Sequence, residues 1–402
     1  MSAPVRALLS PEVIQGLKHF RKLRPVLKHL HDAGTERDRA GNRTLHFDEY
    51  CALVLLMMFN PTIRSLRAIQ QISNLTPVQK ALGVSRTSLG SLSESARVFD
   101  AERMLPIIGK LAKRVHPTGY DPRLKDLKQI LTAVDGTILK ALPCLAEAMW
   151  VKTRNGLPQY AWRLHTHFDV ISGVPTRMHG TNAGNRGAAN EWTVLRHQLE
   201  ADHCYVLDRG YAKFALFNAI VAARSSYVCR LRDDSNITLL EQRPLTAQAQ
   251  AAGIIRDAIV HLGSDAKCRP KHAVHLVTIA VRPNPRRRHT GPPSNGRLLI
   301  ATNLLDVPAE IIALIYQYRW TIETFFRFFK QILGGRHLLS ACPNGIAIQA
   351  YCALIACMLL NVYTGCKPRL RTYEMFCLYL QGWATDAELM AHLEKIKNQT
   401  PK

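Results

Sequence analysis

The chain has 402 residues, with 53 Lys and Arg against 30 Asp and Glu, a formal net charge of +23, and 47% apolar residues. The apolar fraction excludes a disordered chain, and the length implies two or three domains rather than one. So large a positive excess in a folded protein predicts a polyanionic partner, nucleic acid ahead of an anionic membrane surface, because the like charges repel unless something offsets them.

Ten Cys without a Cys-x-x-Cys pair give neither zinc-ribbon spacing nor a compact disulfide framework, so free thiols in a reducing cytoplasm are expected. The opening Met-Ser-Ala-Pro-Val-Arg does not read as a targeting segment. Residues 1–124 read as an all-helical N-terminal region, with helices expected at Val13 to Leu30, Phe47 to Phe59, Ile63 to Ile72 and Ala101 to Val115. Between them, Thr76 to Leu89 around Gly83 has the rhythm of helix, turn, helix; an ordinary bundle corner explains it equally.

From Leu127 the period shortens. Strands are expected at Ile130 to Asp135, Thr137 to Leu142, Trp162 to Val174 and Cys204 to Asp208, with helices at Ala189 to Leu199 and Phe214 to Arg224. This order predicts an α/β domain with a mixed sheet. Residues 225–297 read as a strand-rich insertion, Ser226 to Leu231 and Ala273 to Val281 being its clearest runs. It ends in a Pro-rich basic loop whose Arg286, Arg287 and Arg288 are candidate DNA contacts. Arg297 to Thr302 is one more buried strand, Pro308 opens a long helix that runs to Gly334-Gly335, and residues 341–402 are helical. The apolar run Ile346 to Val362 carries Gln349 and Asn361 and is expected as a buried core helix rather than a membrane span.

The segment Tyr316-Gln-Tyr-Arg-Trp-Thr-Ile-Glu-Thr-Phe-Phe-Arg-Phe-Phe-Lys330 carries the chemistry. At about 100° per residue, Tyr316, Arg319, Glu323 and Lys330 fall in a stripe roughly 60° wide, opposite a broad face of Ile and Phe. A carboxylate flanked by two cations and a phenol suits a metal ion together with phosphates, although a surface helix with Glu323 paired to Arg319 accounts for the spacing alone. Asp135 and Asp208 each close an apolar strand-like run, where a half-buried carboxylate needs a positive partner such as a divalent cation. Taken singly, Asp135-Gly136 is also a hairpin signal and Asp208-Arg209-Gly210 an ordinary turn. His165 and His167 share one strand face and are candidate metal ligands, with a structural role as the alternative.

The Tyr-x2-Arg-x3-Glu-x6-Lys spacing of Tyr316, Arg319, Glu323 and Lys330 joins Val134-Asp135-Gly136-Thr137 and Leu207-Asp208-Arg209-Gly210-Tyr211. Together they resemble the DDE transposases of insertion-sequence family four. The resemblance spans about residues 125 to 340. It implies a ribonuclease-H-like core in two parts, 125–224 and 298–340, interrupted by the insertion. It further implies that Asp135, Asp208 and Glu323 hold two Mg²⁺ or Mn²⁺ ions, that Tyr316, Arg319 and Lys330 grip phosphates, and that the chain works as a homodimer on paired double-stranded DNA ends. One departure stands out: no Phe, Tyr or Trp lies between Tyr227 and Tyr316, so the base-stacking aromatic of cut-and-paste relatives cannot come from that stretch, leaving His272, His275 or an Arg as weak substitutes, or an aromatic elsewhere in the chain. The expected function is cleavage and strand transfer of insertion-sequence DNA at terminal inverted repeats. A transposase-derived regulator or a plain metal-dependent nuclease are the alternatives, and no membrane partner is expected.

Overall fold

A computed structural model describes residues 24–33, 43–117, 121–140, 149–152, 158–182, 190–264, 269–281, 296–332, 338–340 and 342–399. The expected helix over Val13 to Leu30 lies outside the described residues up to residue 23. Beyond it come α1 (Phe47–Met58), α2 (Leu66–Ser73), α3 (Thr76–Leu82), α4 (Leu89–Val98) and α5 (Leu105–Ala112). Helix α2 starts later than its apolar pattern because Ser65 caps it, its hydroxyl accepting from the Ala68 N–H at 3.2 Å. The span expected as one helix from Ala101 opens as a 3₁₀ turn, Ala101–Met104, and turns α-helical only where Pro106 fits the first turn of α5. Between α3 and α4 the chain does run helix, turn, helix, and both helices bury apolar residues (Val78 and Leu82, Leu92 and Ala96) in the core.

The strands are β1 (Ile130–Lys140), β2 (Met149–Lys152), β3 (Pro158–Asp169), β4 (Val174–Asn182), β5 (His203–Leu207), β6 (Ser226–Arg230), β7 (Ile237–Arg243), β8 (Ile254–Leu262), β9 (Val274–Ala280) and β10 (Arg297–Thr302). They form one sheet in the order β2-β3-β1-β5-β6-β10-β9-β8-β7, with β4 paired to the same edge of β3 as β2, away from β1. The β1–β5 and β5–β6 pairings are parallel and the rest antiparallel. Helices α6 (Glu191–His197) and α7 (Phe214–Ala222) flank β5, and the short α8 (Ala247–Ala251) precedes β8. Strands β7 to β9 continue the same sheet, so the segment between β6 and β10 lengthens it rather than standing apart.

Asp135-Gly136, a hairpin signal in the sequence, makes no turn. Strand β1 passes straight through, with Asp135 opposite Thr166 and Gly136 opposite His165. Side chains alternate across the sheet. Leu131, Ala133, Val206 and Val228 enter the larger core, while Val134, Tyr205, Leu207 and Cys229 enter a smaller one with α6 and α7.

The long helix expected from Pro308 is broken. It forms α9 (Ala309–Gln317) and α10 (Trp320–Ile332), separated at Tyr318-Arg319 by tighter bonds, Arg319 N–H to the Tyr316 carbonyl and Thr321 N–H to the Tyr318 carbonyl. The Tyr318 hydroxyl donates to Asp121 Oδ2 at 2.8 Å, a tertiary tie invisible to local spacing. After it, α10 buries Ile322, Phe325, Phe326, Phe328, Phe329 and Ile332 as its pattern requires, and Phe325 meets Phe168 of β3 with ring centroids 5.2 Å apart. Helices α11 (Pro343–Thr364), α12 (Leu370–Leu380) and α13 (Asp386–Gln399) complete the chain. By length and composition α11 could cross a membrane, yet 89% of its apolar window is buried, packed against α1, α5 and β4. It ends at Gly365, whose φ of 63° is a left-handed cap that a side chain would strain.

Candidate active site

Strand register builds the site. Val134 pairs with Leu207 in the parallel β1–β5 ladder, so Asp135 and Asp208, each the next residue, leave adjacent strand positions side by side. By alternation both project to the face that α10 covers, since Ala133 and Val206, two residues earlier, lie in the core beneath that helix. Glu323 sits in the first turn of α10, and Arg319, just before the helix, donates from Nη2 to Glu323 Oε1 at 2.7 Å. The i,i+4 pair that spacing alone suggests therefore exists. It is not a surface pair: the Arg319 side chain is 13% exposed, and its charge is felt by both aspartates' site.

The electrostatics of these groups are coupled. Burial pushes the Asp135 carboxyl up to about 6; the Gly136 N–H, donating to Oδ1 at 2.8 Å, and the Arg319 charge oppose this, while Glu191 and Asp208 reinforce it. For Arg319, burial works against the charge, but Tyr316, Glu323 and Asp208 outweigh it and the guanidinium is held more firmly protonated. Tyr316, at the end of α9, is pushed up to about 12 by burial, with Asp208 adding and Arg319 and Arg230 opposing. The Arg319 guanidinium lies 6.0 Å from the Tyr316 ring centre and 5.8 Å from that of Trp320. The Arg319 cation thus stands among the three carboxylates.

Of the residues singled out in the sequence, Asp135, Asp208, Glu323, Arg319 and Tyr316 are brought together. Lys330 lies seven residues beyond Glu323 on the same helix, half-buried, and burial lowers its pKa. Arg286, Arg287 and Arg288 fall outside the described residues. His275 cannot stack on a base: it is fully buried, bonded through Nε2 to Asp257 at 2.8 Å and through Nδ1 to the Leu304 carbonyl at 3.0 Å. His272 is held by the Tyr227 hydroxyl at 3.0 Å. His165 and His167 do share a face, and burial pushes both down to about 3, so they are neutral packing residues on the side of the sheet away from Asp135.

Three residues near the site carry no sequence signal. Arg230 follows Cys229, the partner of Leu207, and so flanks Asp208 across the β5–β6 ladder. Glu191 opens α6 and is ion-paired with Arg163 of β3. Only the glycines next to the two aspartates hint that something approaches there. Elsewhere, among the described residues, His31, Asp32 and His46 bring possible ligand atoms within 4.8 Å, but the two imidazoles lie parallel with centroids 3.7 Å apart. Parallel rings do not aim their in-plane lone pairs at a common ion, and His31 Nδ1 is taken by Asp48 at 2.9 Å.

A family model described as the transposase DDE domain matches residues 126–359, a span that contains Asp135, Asp208 and Glu323. A protein of Sinorhizobium fredii named as a transposase, y4zB, is 26% identical over 295 residues, 73% of each chain. A Geobacillus stearothermophilus protein named as the transposase of insertion sequence element IS5377 is 31% identical over 182 residues, 42% of this chain and 44% of that one. Among solved structures, the piggyBac transposase in a synaptic complex with hairpin DNA aligns with a TM-score of 0.45 and 10% identity, over 100% of this chain and 84% of its own.

Proposed function

The chain belongs to the transposase DDE domain family, and from that premise we propose that it cuts and joins insertion-sequence DNA with Asp135, Asp208 and Glu323 as its catalytic carboxylates. The observation that carries this reading is the meeting of the three at one end of the parallel ladder, around a single buried guanidinium. Oxygen donors of this kind suit Mg²⁺ or Mn²⁺, and Asp135, burdened by two neighbouring carboxylates, is better matched by a divalent cation than by Arg319 alone. Two such ions, when bound, supply an activated water or 3′-hydroxyl and stabilise the oxygen that departs in an in-line displacement.

The chain's own residues do the rest. Asp135 and Asp208 come from rigid strands and fix the two acids relative to each other, while Glu323 rides on a helix pinned by its phenylalanines to β1 and β3. Arg319, released from Glu323, has the planar fork to grip a phosphate bidentately, with Tyr316 and Arg230 beside it and Lys330 two helical turns, about 10 Å, beyond Glu323. Residues 1–124 bind the terminal repeats, Arg286, Arg287 and Arg288 add phosphate contacts, and two copies act on paired ends. The core is ribonuclease-H-like, with its parallel β1–β5–β6 segment as the catalytic centre, and the chain is akin to insertion-sequence family four through the Tyr316, Arg319, Glu323, Lys330 spacing.

The test is Asp135→Ala, Asp208→Ala and Glu323→Ala, assayed for Mg²⁺-dependent cleavage and strand transfer of end-sequence DNA. Each is expected to abolish chemistry while leaving binding largely intact; near-normal strand transfer by any one of them overturns the assignment.

A further inference from the structure

The Glu191 carboxylate reaches both acid-bearing segments at once. A Cβ built on Gly136 would stand 2.6 Å from Glu191 Oε1, and one built on Gly210 would stand 3.9 Å from Oε2. Gly136 follows Asp135 and Gly210 lies two residues after Asp208, so one side chain lies against Gly136 and close to Gly210, beside the segments that present the two aspartates. The approach to Gly136 is possible only because that residue has no side chain.

We propose that Glu191 is a positioning residue, tethered by Arg163, whose carboxylate braces Gly136 and Gly210 and so sets the spacing between the Asp135 and Asp208 carboxylates. This rests on the reading of those two aspartates given above. Alternation places the Gly136 substituent position on the sheet face opposite Asp135, so Glu191 stands behind the strand rather than in the reacting space. Its influence passes through the peptide: the Gly136 N–H donates to Asp135 Oδ1 at 2.8 Å, and a shift of that peptide turns the carboxylate. The pair is itself well held, with the Arg163 and Glu191 side chains 15% and 18% exposed. Buried charges of this kind are retained only when paired, and a planar guanidinium fixes a carboxylate in direction as well as place. Helix α6, which carries Glu191, packs on the Arg209–Tyr211 turn that follows Asp208. There the Tyr211 ring fills the space beneath, 1% exposed and with no hydrogen-bond partner for its hydroxyl among the described residues.

The experiment compares Glu191→Gln with Glu191→Asp in the full chain. Gln keeps the reach to Gly136 and a hydrogen bond to Arg163 but loses the charge; Asp keeps the charge but withdraws by one methylene. Mn²⁺ binding to DNA-free protein is measured by titration calorimetry, with cleavage kinetics on end-sequence DNA in parallel. Bracing by reach predicts that Gln stays within about threefold of wild-type Mn²⁺ affinity while Asp weakens it roughly tenfold, the lower range for losing a support behind metal ligands. In kinetics, Asp lowers kcat and leaves the KM for DNA unchanged. The reverse order, Asp near wild type and Gln weak, overturns the proposal in favour of a purely electrostatic role, and so does equal behaviour of the two. Asp135→Ala in the same titration separates the failures: if it binds Mn²⁺ like wild type, the assignment of the aspartates falls and this proposal with it, whereas loss there with the wrong order at residue 191 removes the bracing alone.

Discussion

Replacing Asp135 by Asn should make the protein more stable while removing its chemistry. Burial raises the Asp135 carboxyl from 3.8 to about 6, roughly 2 units, and each unit corresponds to about 1.4 kcal/mol. A folded-state value above the unfolded one means that the native chain holds more protons between those limits. The associated stability is full below about pH 4 and is lost as the pH rises through about 6, so the ionised carboxylate costs the fold about 3 kcal/mol at neutral pH. Asn has the same shape, keeps an Oδ1 to accept the Gly136 N–H, and never ionises. Urea denaturation followed by circular dichroism should show Asp135→Asn more stable than wild type by about 2–3 kcal/mol near pH 8, with the gain vanishing near pH 4, where both side chains are neutral. Mg²⁺ should narrow the gap by stabilising wild type alone. A variant no more stable than wild type near pH 8, or a gain that does not shrink on acidification, refutes the account of Asp135 as a strained, metal-seeking carboxylate.

The buried imidazoles act in the opposite direction. His165 and His167, pushed down to about 3, stay neutral in the fold while the unfolded chain protonates below about 6.5, so stability is present above that pH and is lost as the pH falls. Each of the two contributes a loss of about 1.4 kcal/mol per unit of acidification between about pH 4 and 6, so His167→Asn should reduce the slope of stability against pH by about that amount in urea denaturation across the range, and an unchanged slope contradicts its burial as a neutral imidazole. Arg230→Gln should weaken binding of end-sequence DNA without altering sequence preference, lowering the slope of log affinity against log salt by about one, while a slope equal to wild type removes Arg230 from the DNA path. Phe325→Ala should cost about 3–5 kcal/mol and loosen the helix that carries Glu323, so cleavage falls faster on warming than DNA binding does; parallel loss of both contradicts the pinning of α10 by Phe325 and Phe168.

Periodic features of the site were legible in the sequence, and tertiary ones were not. The apolar face of Ile322, Phe325, Phe326, Phe328 and Phe329 repeats at helical spacing, and burial on one side is what such spacing means. The apolar runs ending at Asp135 and Asp208 are likewise the parallel pair β1 and β5. The break at Tyr318-Arg319 has no local signal; there the Tyr318 hydroxyl bonds Asp121, 197 residues away along the chain. Strand β7 escaped notice for a different reason: it is mostly solvent-exposed, so its sequence, Ile-Thr-Leu-Leu-Glu-Gln-Arg, carries little of the alternation that marks a half-buried strand.

Gly136 shows how one residue supports two readings. Asp-Gly is locally the strongest of turn signals, since glycine accepts a backbone that other residues avoid. In the fold Gly136 lies in regular strand, opposite His165, and its φ is not among the positive ones. What it offers is the missing side chain, into whose place the Glu191 oxygen fits. Sequence statistics join glycine to turns because conformational freedom is its commoner use, whereas close approach depends on a partner that only the fold reveals. An acid followed by glycine within a β-branched run therefore has two physical explanations, and the side chain that lies where the Cβ would be decides between them. Here that side chain is a tethered carboxylate behind Asp135, which is why the same dipeptide that misleads about the turn points to the residue no motif contained.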